Sequence, residues 1–355
     1  MPRRKKKLRV GIIGVGGIAN GAHMPSYAKL QDLVEMVAFC DIIPERAQKG
    51  AEMYGAPGAK VFKDYQEMLE MKDLDSVSVC TPNKFHAPIT IAALKAGKHV
   101  FCEKPMAITA EEADKMVKAA KETGLKLSVG YQSRFSDDAQ LLKQMISSGE
   151  LGEIYYSEAT SIRRRGVPTW GVFLSKELQG GGPLIDIGTH VLDLTLWLMG
   201  DYSKPVSILG ASYKKLAPLG GYNAWGPWDP KNFEVEDSAF GLVRLESGAA
   251  VMVKASWALN MEDPQPIILC GTKGGASIVD GSAKVYTQAH NRLLNLIPVQ
   301  TPGRDSLYNR EIAYWVDCLI NNKEPLVKAE EAAQVTRILE LIYKSSDEGK
   351  AINLI

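Results

Sequence analysis

The sequence is short of cysteine, of net charge and of long apolar runs. Its 355 residues include five cysteines, an odd number, and no C-x-x-C pair indicates a zinc or redox centre. The 42 Lys and Arg residues nearly balance the 41 Asp and Glu residues, which argues against a nucleic-acid partner. No stretch approaches the roughly 18 apolar residues of a membrane span. We therefore expect a cytoplasmic globular protein with reduced thiols, no membrane partner and no bound metal.

The first third of the chain alternates short apolar strands with amphipathic helices. Apolar runs without alternation are typical of strands buried on both faces, as in a parallel sheet covered by helices. The pattern predicts an α/β Rossmann domain over residues 1–130. The predicted strands are 8–13, 34–40, 76–80, 99–102 and 126–130, and the predicted helices are 18–30, 44–54, 64–71, 85–96 and 110–123.

Beyond residue 130 the rhythm changes to longer strands joined by turns. This pattern predicts a C-terminal α+β domain over residues 131–355 with an open, mostly antiparallel sheet. A long loop, 216–232, is rich in Gly, Pro and Trp and shows no element of its own. The predicted helices here are 136–147, 183–199, 309–321 and 329–347, and the predicted strands are 153–162, 205–214, 237–245, 249–256, 265–270 and 276–279.

A glycine-rich turn between the first strand and the first helix is the sharpest local signal. Gly14, Gly16 and Ala19 form a G-x-G-x-x-A fingerprint, which places a helix N-terminus at a pyrophosphate. Asp41 follows the second strand at the spacing expected of a ribose-binding carboxylate, which favours NAD over NADP. Arg46 would instead accommodate a 2′-phosphate, and Asp41 could serve only as a helix N-cap. The predicted cofactor-binding residues of this segment are Gly14, Gly16, Gly17, Ile18, Asp41 and Arg46.

Two further loops leave the carboxyl ends of predicted strands, where open α/β sheets bind ligands. One reads Cys80-Thr81-Pro82-Asn83-Lys84-Phe85-His86 and the other Cys102-Glu103-Lys104-Pro105. A lysine fixed against a proline after a buried strand brings a charge to the crevice and is a candidate for acid–base chemistry. The alternative is that Lys104 is a solvated loop residue.

Asp186 and His190 form a third candidate group, four residues apart after a Gly-Gly-Gly-Pro helix start. This spacing places both on one helix face, where a carboxylate orients an imidazole and raises its basicity. Alternatively, His190 is a packed histidine bonded to Asp186 or Asp193.

Candidate substrate contacts follow the predicted strand 153–162. Alternation would send Arg163 and Arg165 to one face, where they could bind a carboxylate or phosphate or form interface salt bridges. Trp170 follows shortly, and Tyr131, Gln132 and Arg134 come just after the last Rossmann strand, in position to line the crevice. Several tryptophans and a tyrosine could stack on a sugar or an aglycone: Trp170, Tyr222, Trp225 and Trp228.

In this order, these elements resemble the Gfo/Idh/MocA oxidoreductase family, which includes inositol dehydrogenases and glucose–fructose oxidoreductase. The E-K-P loop with the distant D-x-x-x-H is more specific than the glycine motif. The residues that carry the resemblance are Gly14–Ala19, Asp41, Thr81-Pro82-Asn83 with His86, Glu103-Lys104-Pro105, Asp186 with His190, Glu150-Leu151-Gly152 and Val235-Glu236-Asp237-Ser238.

The resemblance implies NAD(P)-dependent oxidation or reduction of a secondary alcohol on a sugar or cyclitol. Lys104 would lie by the nicotinamide, often before a cis proline bond, and hydrogen-bond the reacting hydroxyl. His190 would take the proton with Asp186 orienting it, although Lys104 could instead be the base. The implied cofactor contacts also include Thr81, Asn83, His86, Glu103, Lys104 and Gln132, and the implied substrate contacts are Lys104, Tyr131, Arg163, Arg165, Trp170, Asp186 and His190.

A subgroup that oxidises the C3 hydroxyl of glycosides is similar at the aromatic positions, which favours a glycoside dehydrogenase. Two alternatives keep the cofactor: a redox-neutral glycosidase that retains NAD, and a non-catalytic NAD-binding regulator. The resemblance also implies a homo-oligomer assembled through the C-terminal sheet.

Overall fold

The computed structural model describes residues 7–262, 266–299 and 305–354, which divide into two compact units. Within the described ranges, the first unit comprises residues 7–107, 111–132 and 305–333, and the second comprises the remainder. The units differ from the expected division at residue 130, because the segment 305–333 belongs with the first. Ile312, Trp315 and Val316 of that segment join the apolar core of the first unit.

A six-stranded parallel sheet forms the centre of the first unit, as the apolar runs predicted. Its strand order is β3-β2-β1-β4-β5-β6. The strands are apolar without alternation because both of their faces are buried; all four residues of β4, for example, are buried. The strands are β1 Leu8–Ile13, β2 Val34–Cys40, β3 Lys60–Phe62, β4 Ser76–Val79, β5 His99–Cys102 and β6 Leu127–Val129.

Helices of the first unit connect these strands and bury apolar side chains against them. The core includes Met24, Phe39 and Phe101 together with Trp315. The helix predicted over 18–30 is a π-helical turn, Ala19–His23, continued by α1. The helices are α1 Met24–Ala28, α2 Pro44–Tyr54, α3 Tyr65–Leu69, α4 His86–Lys95 and α5 Ala110–Thr123, and α9 Leu307–Ile320 also belongs here.

The second unit contains a nine-stranded mixed sheet with the order β14-β13-β12-β11-β7-β10-β9-β8-β15. Neighbouring strands in this sheet are antiparallel except for β7 and β10, which pair in parallel. The strands are β7 Ile154–Ile162, β8 Pro205–Tyr213, β9 Ser238–Leu245, β10 Ala250–Ser256, β11 Ile267–Gly271, β12 Gly275–Val279, β13 Ser282–Ala289, β14 Arg292–Leu296 and β15 Ile352–Asn353.

Helices cover one face of this sheet. The helix α10, Ala329–Glu348, packs so closely on β8 that a Cβ added to Gly210 would come within 2.3 Å of the Ile342 carbonyl oxygen. Gly188, just before α8 (Thr189–Met199), also lies close to the sheet, since an added Cβ would be 3.2 Å from Ala255 Cβ. The remaining helices are α6 Asp137–Ser147, α7 Lys176–Gln179, α8 Thr189–Met199 and α10 Ala329–Glu348, with a π-helical turn at Leu184–Gly188 before α8.

The opposite face of the sheet is the open sheet face, which we define by the alternate residues of β7 to β11. One row in register across it contains Leu209, Leu242, Met252, Glu158 and Ile268. These side chains are half-buried or exposed, whereas nearly all of their neighbours along each strand are buried against the helices. The predicted α+β domain with an open, mostly antiparallel sheet is thus confirmed.

Several elements were not predicted from the sequence: β3, α7, β15 and the β13–β14 hairpin. Every residue of β14 is exposed, so its leucines give no pattern of alternating burial. The loop 216–232 also contains two short 3-10 turns, Ala217–Leu219 and Pro230–Asn232. Among the helices that the structure describes, none is long and apolar enough to cross a membrane.

Candidate active site

The glycine-rich turn of the first unit leaves room for a ligand beside its backbone. Gly14 adopts φ 87°, and a Cβ there would lie 2.7 Å from the Cys80 carbonyl oxygen. Gly14 is therefore required by conformation and by close approach to the next strand. At Gly16 and Gly17 a Cβ would meet nothing within 4 Å. The space beside these two glycines is open, as a bound pyrophosphate needs.

The Asn20 side chain fixes the orientation of this turn. Its amide donates to the Val15 carbonyl at 3.0 Å and to the Gly16 carbonyl at 2.8 Å. Because N–H and C=O point in opposite directions across a trans peptide, the N–H groups of Gly16 and Gly17 point away from Asn20. Outward N–H groups at a helix start form an anion-binding arrangement.

Asp41 is bound to the same turn from the end of β2. Its Oδ2 accepts from Val15 N–H at 2.8 Å and its Oδ1 from Ile43 N–H at 2.9 Å. The N-cap of α2 is Ile43, so Asp41 does not cap that helix with its side chain. A carboxylate oxygen has a second lone pair, which remains for a ribose hydroxyl. Arg46 lies exposed in the first turn of α2.

Thr81 and His86 contribute differently to the loop after β4. The buried Thr81 Oγ1 has no hydrogen-bond partner among the described residues. His86 is buried, with Nδ1 2.7 Å from the Pro105 carbonyl oxygen and Nε2 2.8 Å from the Thr81 carbonyl oxygen. Both ring nitrogens are thus engaged by the backbone, so His86 holds this loop to the loop that carries Pro105. Burial lowers the pKa of His86, although the two carbonyl contacts oppose this shift.

The Glu103 side chain also faces inward, whereas the resemblance implied that Glu103 contacts the cofactor. Its Oε1 lies 2.7 Å from His23 Nε2, and its Oε2 accepts from Lys104 N–H at 3.1 Å. Burial acts to raise the pKa of Glu103, but the hydrogen bond and charge of His23, with Lys104, outweigh it and lower the pKa. Glu103 therefore holds the loop that carries Lys104. His23 was missed, because nothing in its local sequence marks it as the partner of a residue 80 positions away.

Lys104 itself is half-buried and precedes a cis peptide bond to Pro105, as the resemblance implied. Of the residues after β6, Gln132 Nε2 donates to the Tyr308 hydroxyl at 3.3 Å. Tyr131 is only 1% exposed, so the side chain is packed rather than presented to a substrate as expected. Asn83 is also buried.

These groups fit a dinucleotide. Open space beside Gly16 and Gly17, outward backbone N–H groups and a buried Thr81 hydroxyl lacking a partner are the features a diphosphate and its riboses would satisfy. Among the described residues, no group of three or more His, Cys, Asp and Glu side chains could hold a metal ion.

In the second unit, Asp186 and His190 lie where a π-helical turn passes into α8. Asp186 is in the π-helical turn and His190 is in the first turn of α8, and both are half-buried. π-helical turns occur often at functional sites. Asp186 Oδ2 accepts from Trp257 Nε1 at 3.1 Å, a partner that the sequence did not indicate.

The alternative partner of His190, Asp193, is occupied by an arginine. Arg134 donates from Nε to Asp193 Oδ2 at 2.9 Å and from an NH2 group to Oδ1 at 2.6 Å. Both side chains are fully buried. The pair therefore joins α8 to the segment before α6, and the fully buried Arg134 is structural rather than a residue that lines the crevice as expected.

Glu236 fixes the backbone at the start of the π-helical turn. Its carboxylate accepts from Gly182 N–H at 2.8 Å, from Leu184 N–H at 3.2 Å and from the Tyr343 hydroxyl at 2.7 Å. Burial raises the pKa of Glu236, with these hydrogen bonds opposing the shift. Glu236 was recognised only as a family landmark, and the structure shows that it positions the segment bearing Asp186.

Arg163 and Arg165, the candidate anion-binding pair, contact different groups in the structure. β7 ends at Ile162, so strand alternation does not extend to them. The Arg163 guanidinium lies 5.0 Å from the Trp225 ring centroid, whereas Arg165 donates to Asn260 Oδ1 at 2.6 Å. Their side chains therefore serve different neighbours.

The tryptophans after β7 separate into buried and exposed groups. Trp228 is buried and donates to the Ala217 carbonyl at 2.8 Å, so it is structural. Trp170 and Trp225 are 53% and 44% exposed, and their ring centroids lie 5.2 Å apart. Tyr222 is 78% exposed.

Comparison with known proteins identifies relatives of both units. Residues 8–131 match the oxidoreductase family with an NAD-binding Rossmann fold, and residues 143–354 match the C-terminal α/β domain of the same family. The chain is 38% identical over 349 residues to the D-glucoside 3-dehydrogenase of Escherichia coli, covering 98% of this chain and 97% of that protein.

Solved structures show the same architecture. The aldose-aldose oxidoreductase of Caulobacter crescentus is 26% identical, with a TM-score of 0.80 over 98% of this chain and all of that one. The WlbA dehydrogenase of Bordetella pertussis, solved with NADH and UDP-GlcNAcA, is 26% identical with a TM-score of 0.77 over 99% of both chains.

Proposed function

The chain belongs to the Gfo/Idh/MocA family of NAD-binding oxidoreductases, and we propose that it is a glycoside 3-dehydrogenase, which oxidises the C3 hydroxyl of a glucoside to a ketone. Membership confirms the resemblance seen in the sequence, the Rossmann fold and NAD as the cofactor. The similarity to the D-glucoside 3-dehydrogenase over nearly the whole of both chains carries the choice of substrate class.

In this proposal the dinucleotide is held by the first unit. The N–H groups at Gly16 and Gly17 face the diphosphate, Asp41 accepts from the ribose hydroxyls, and the Thr81 hydroxyl gains a partner. Bound NAD supplies an acceptor for the hydride that leaves the carbinol carbon. A carboxylate at Asp41 also repels a 2′-phosphate, which is the basis for expecting NAD rather than NADP.

The protein's own contribution is proton transfer and orientation. Lys104 donates a hydrogen bond to the reacting hydroxyl, and His190 accepts the proton of that hydroxyl as the carbonyl forms. Asp186, held by Trp257, favours the imidazolium that results. Glu103 and Glu236 act indirectly, because they fix the backbone segments that carry Lys104 and Asp186.

Substitution of the two proton-handling groups tests the assignment. Lys104→Ala and His190→Ala should each lower kcat about a hundredfold or more, because general acid–base catalysis contributes about 10²–10⁴-fold. NADH binding, followed by fluorescence, should persist in both. Near-wild-type turnover in both variants would contradict the assignment of Lys104 and His190 to proton transfer.

The substrate class is tested by following NADH formation with methyl β-D-glucoside, D-glucose and myo-inositol, each with NAD and NADP. We expect turnover of the glucoside with NAD and a product oxidised at C3. Turnover of inositol alone would contradict the proposed substrate. Release of an aglycone from an aryl glucoside without net NADH would instead indicate the redox-neutral glycosidase.

We also propose that the enzyme works in the cytoplasm as a homo-oligomer. All five cysteines are unpaired, and four of them are buried, which suits a reducing compartment. The open sheet face supplies the apolar surface for assembly.

A further inference from the structure

Two exposed tryptophans of the second unit form a corner, defined here as the tryptophan corner. Trp170 and Trp225 have ring centroids 5.2 Å apart and planes inclined at 64°. About half of each side chain faces solvent, with 53% of Trp170 and 44% of Trp225 exposed. Exposing two large indoles side by side forfeits burial free energy, so the arrangement calls for an explanation.

The corner is held rigid by hydrogen bonds between the two loops that carry it. The buried Asn223 side chain accepts from Val167 N–H at 2.8 Å and donates to the Val167 carbonyl at 3.0 Å. Thr169 Oγ1 donates to the Trp225 carbonyl at 2.8 Å. A surface fixed in this way loses little conformational entropy when a ligand binds.

A continuous set of aromatic contacts joins the corner to the candidate catalytic carboxylate. Trp170 contacts Phe173 with ring centroids 6.1 Å apart, and Phe173 contacts Trp257 at 6.4 Å. Trp257 in turn donates to Asp186 at 3.1 Å. The corner is therefore linked to Asp186 through two ring contacts and the Trp257 hydrogen bond.

The polar groups around the corner already have hydrogen-bond partners, which favours binding of a planar apolar ligand. The Thr169 hydroxyl and the Asn223 amide donate to backbone carbonyls, and Arg165 is bound to Asn260. The Arg163 guanidinium lies over the Trp225 ring, 5.0 Å from its centroid. A second sugar would bring several hydroxyls that need partners, whereas an aromatic ring can stack on one indole and meet the edge of the other.

We propose that the tryptophan corner is an aglycone subsite that binds the planar aromatic aglycone of the glycoside substrate. The inference rests on the proposed glucoside oxidation and adds the chemical class of the aglycone that the substrate carries. Trp170 and Trp225 act in binding and specificity, and they take no part in proton transfer.

Isothermal titration of the full-length protein with phenyl β-D-glucoside and methyl β-D-glucoside tests the subsite. The two ligands share one sugar, so the ratio of their Kd values reports the aglycone alone. We expect phenyl glucoside to bind about tenfold more tightly, as two favourable ring contacts would give. Trp170→Ala and Trp225→Ala should each lower the ratio about threefold or more while leaving methyl glucoside affinity within about twofold.

Tyr155→Ala is the matched control, because Tyr155 is also 53% exposed but lies on β7. It should leave the ratio unchanged, and thermal unfolding should confirm that all three variants fold. A ratio near one in the wild type, or a ratio insensitive to both tryptophan substitutions, would overturn the subsite. Tighter binding of cellobiose than of phenyl glucoside, dependent on the same tryptophans, would also overturn it in favour of a second sugar.

Failure of this inference is distinct from failure of the proposed function. If methyl glucoside is oxidised and the aglycone ratio is near one, glucoside oxidation stands and the subsite does not. If neither glucoside binds nor is oxidised, both are wrong.

Discussion

One carboxylate, that of Asp41, joins three parts of the first unit. Its two oxygens accept from Val15 in the glycine-rich turn and from Ile43 before α2, and the sequence places it where a ribose would bind. The spacing from the fingerprint predicted the position of Asp41. The bond to Val15 was not predictable, because it depends on how the turn folds back over the end of β2.

Asp41→Ala should therefore affect both stability and cofactor choice. Loss of the acceptor for two N–H groups should lower the free energy of unfolding by about 1–3 kcal/mol, measured by urea denaturation. Loss of the charge should reduce the NAD/NADP ratio of kcat/KM by about tenfold or more. If the stability falls while that ratio is unchanged, Asp41 would serve the fold alone. Arg46→Ala is the control, because it tests whether the neighbouring guanidinium itself affects the NAD/NADP ratio.

His99 provides a pH-dependent test in the first unit. Its Nδ1 accepts from Lys126 N–H at 3.0 Å, which requires the unprotonated nitrogen. Burial, followed by the charge of Lys126, lowers the pKa of His99 in the folded protein. The unfolded chain therefore binds a proton more readily, and this contribution to stability is complete above about pH 6.5 and is lost as the pH falls below it.

His99→Asn keeps an acceptor at the same position without a titrating group. We expect the free energy of unfolding to decrease less between pH 7.5 and pH 5.5 in this variant than in the wild type. Equal decreases would show that His99 does not carry the dependence. His86 shifts in the same direction, so a residual decrease in the variant is expected.

For single side chains, the sequence was a good guide to which residues are important and a poor guide to the groups that they contact. Gly14 and Asp41 were predictable because their roles follow from local backbone geometry and spacing. The inward contacts of His86 and Glu103 were not predictable, because both side chains turn to groups distant in the sequence. A motif specifies residue types at a spacing, but the direction of a side chain depends on the packing around it.

Among the elements, α8 illustrates how buried charge can fix a site. The pair between Arg134 and Asp193 has no exposed surface. Asp193→Leu would leave a buried guanidinium without its counterion, and we expect a loss of about 3–5 kcal/mol in the free energy of unfolding. Lys344→Ala, which removes an exposed ion pair with Glu348 in the same unit, should have no comparable effect.

The double variant Arg134→Met with Asp193→Leu separates charge from packing. If the loss in Asp193→Leu comes from an uncompensated charge, the double variant should recover much of it. A double variant as unstable as Asp193→Leu would indicate that side-chain packing, rather than charge, is responsible.

The longer helices and the buried strands could be predicted from the sequence, whereas the four-residue α7 and the exposed strands could not. β2 and α2 have the predicted bounds, because continuous burial and a proline at the helix start leave strong local signals. The β13–β14 hairpin carries no such signal, because β14 is exposed throughout. The π-helical turn before α8 also has no sequence signature of its own, although Asp186 lies within it.

At the scale of the whole molecule, the apolar row on the open sheet face leads to a prediction about assembly. Leu209, Leu242 and Met252 lie in register across three neighbouring strands, with Glu158 of β7 between them and Ile268, and Leu209 is 54% exposed. Apolar side chains in contiguous rows on a surface mark protein–protein interfaces. A second copy of the chain offers a matching surface, because a two-fold axis brings the same face against itself.

Leu242→Arg should therefore shift the protein toward the monomer. A charge at the centre of the row would be buried without a partner in the oligomer, which costs several kcal/mol for each copy. Light scattering after size exclusion should give a multiple of 38.8 kDa for the wild type and a lower mass for the variant. Leu219→Arg, at a position 74% exposed in the loop 216–232, should leave the mass unchanged. A monomeric wild type would contradict assembly through this face, because no second copy of the chain would then cover the apolar row.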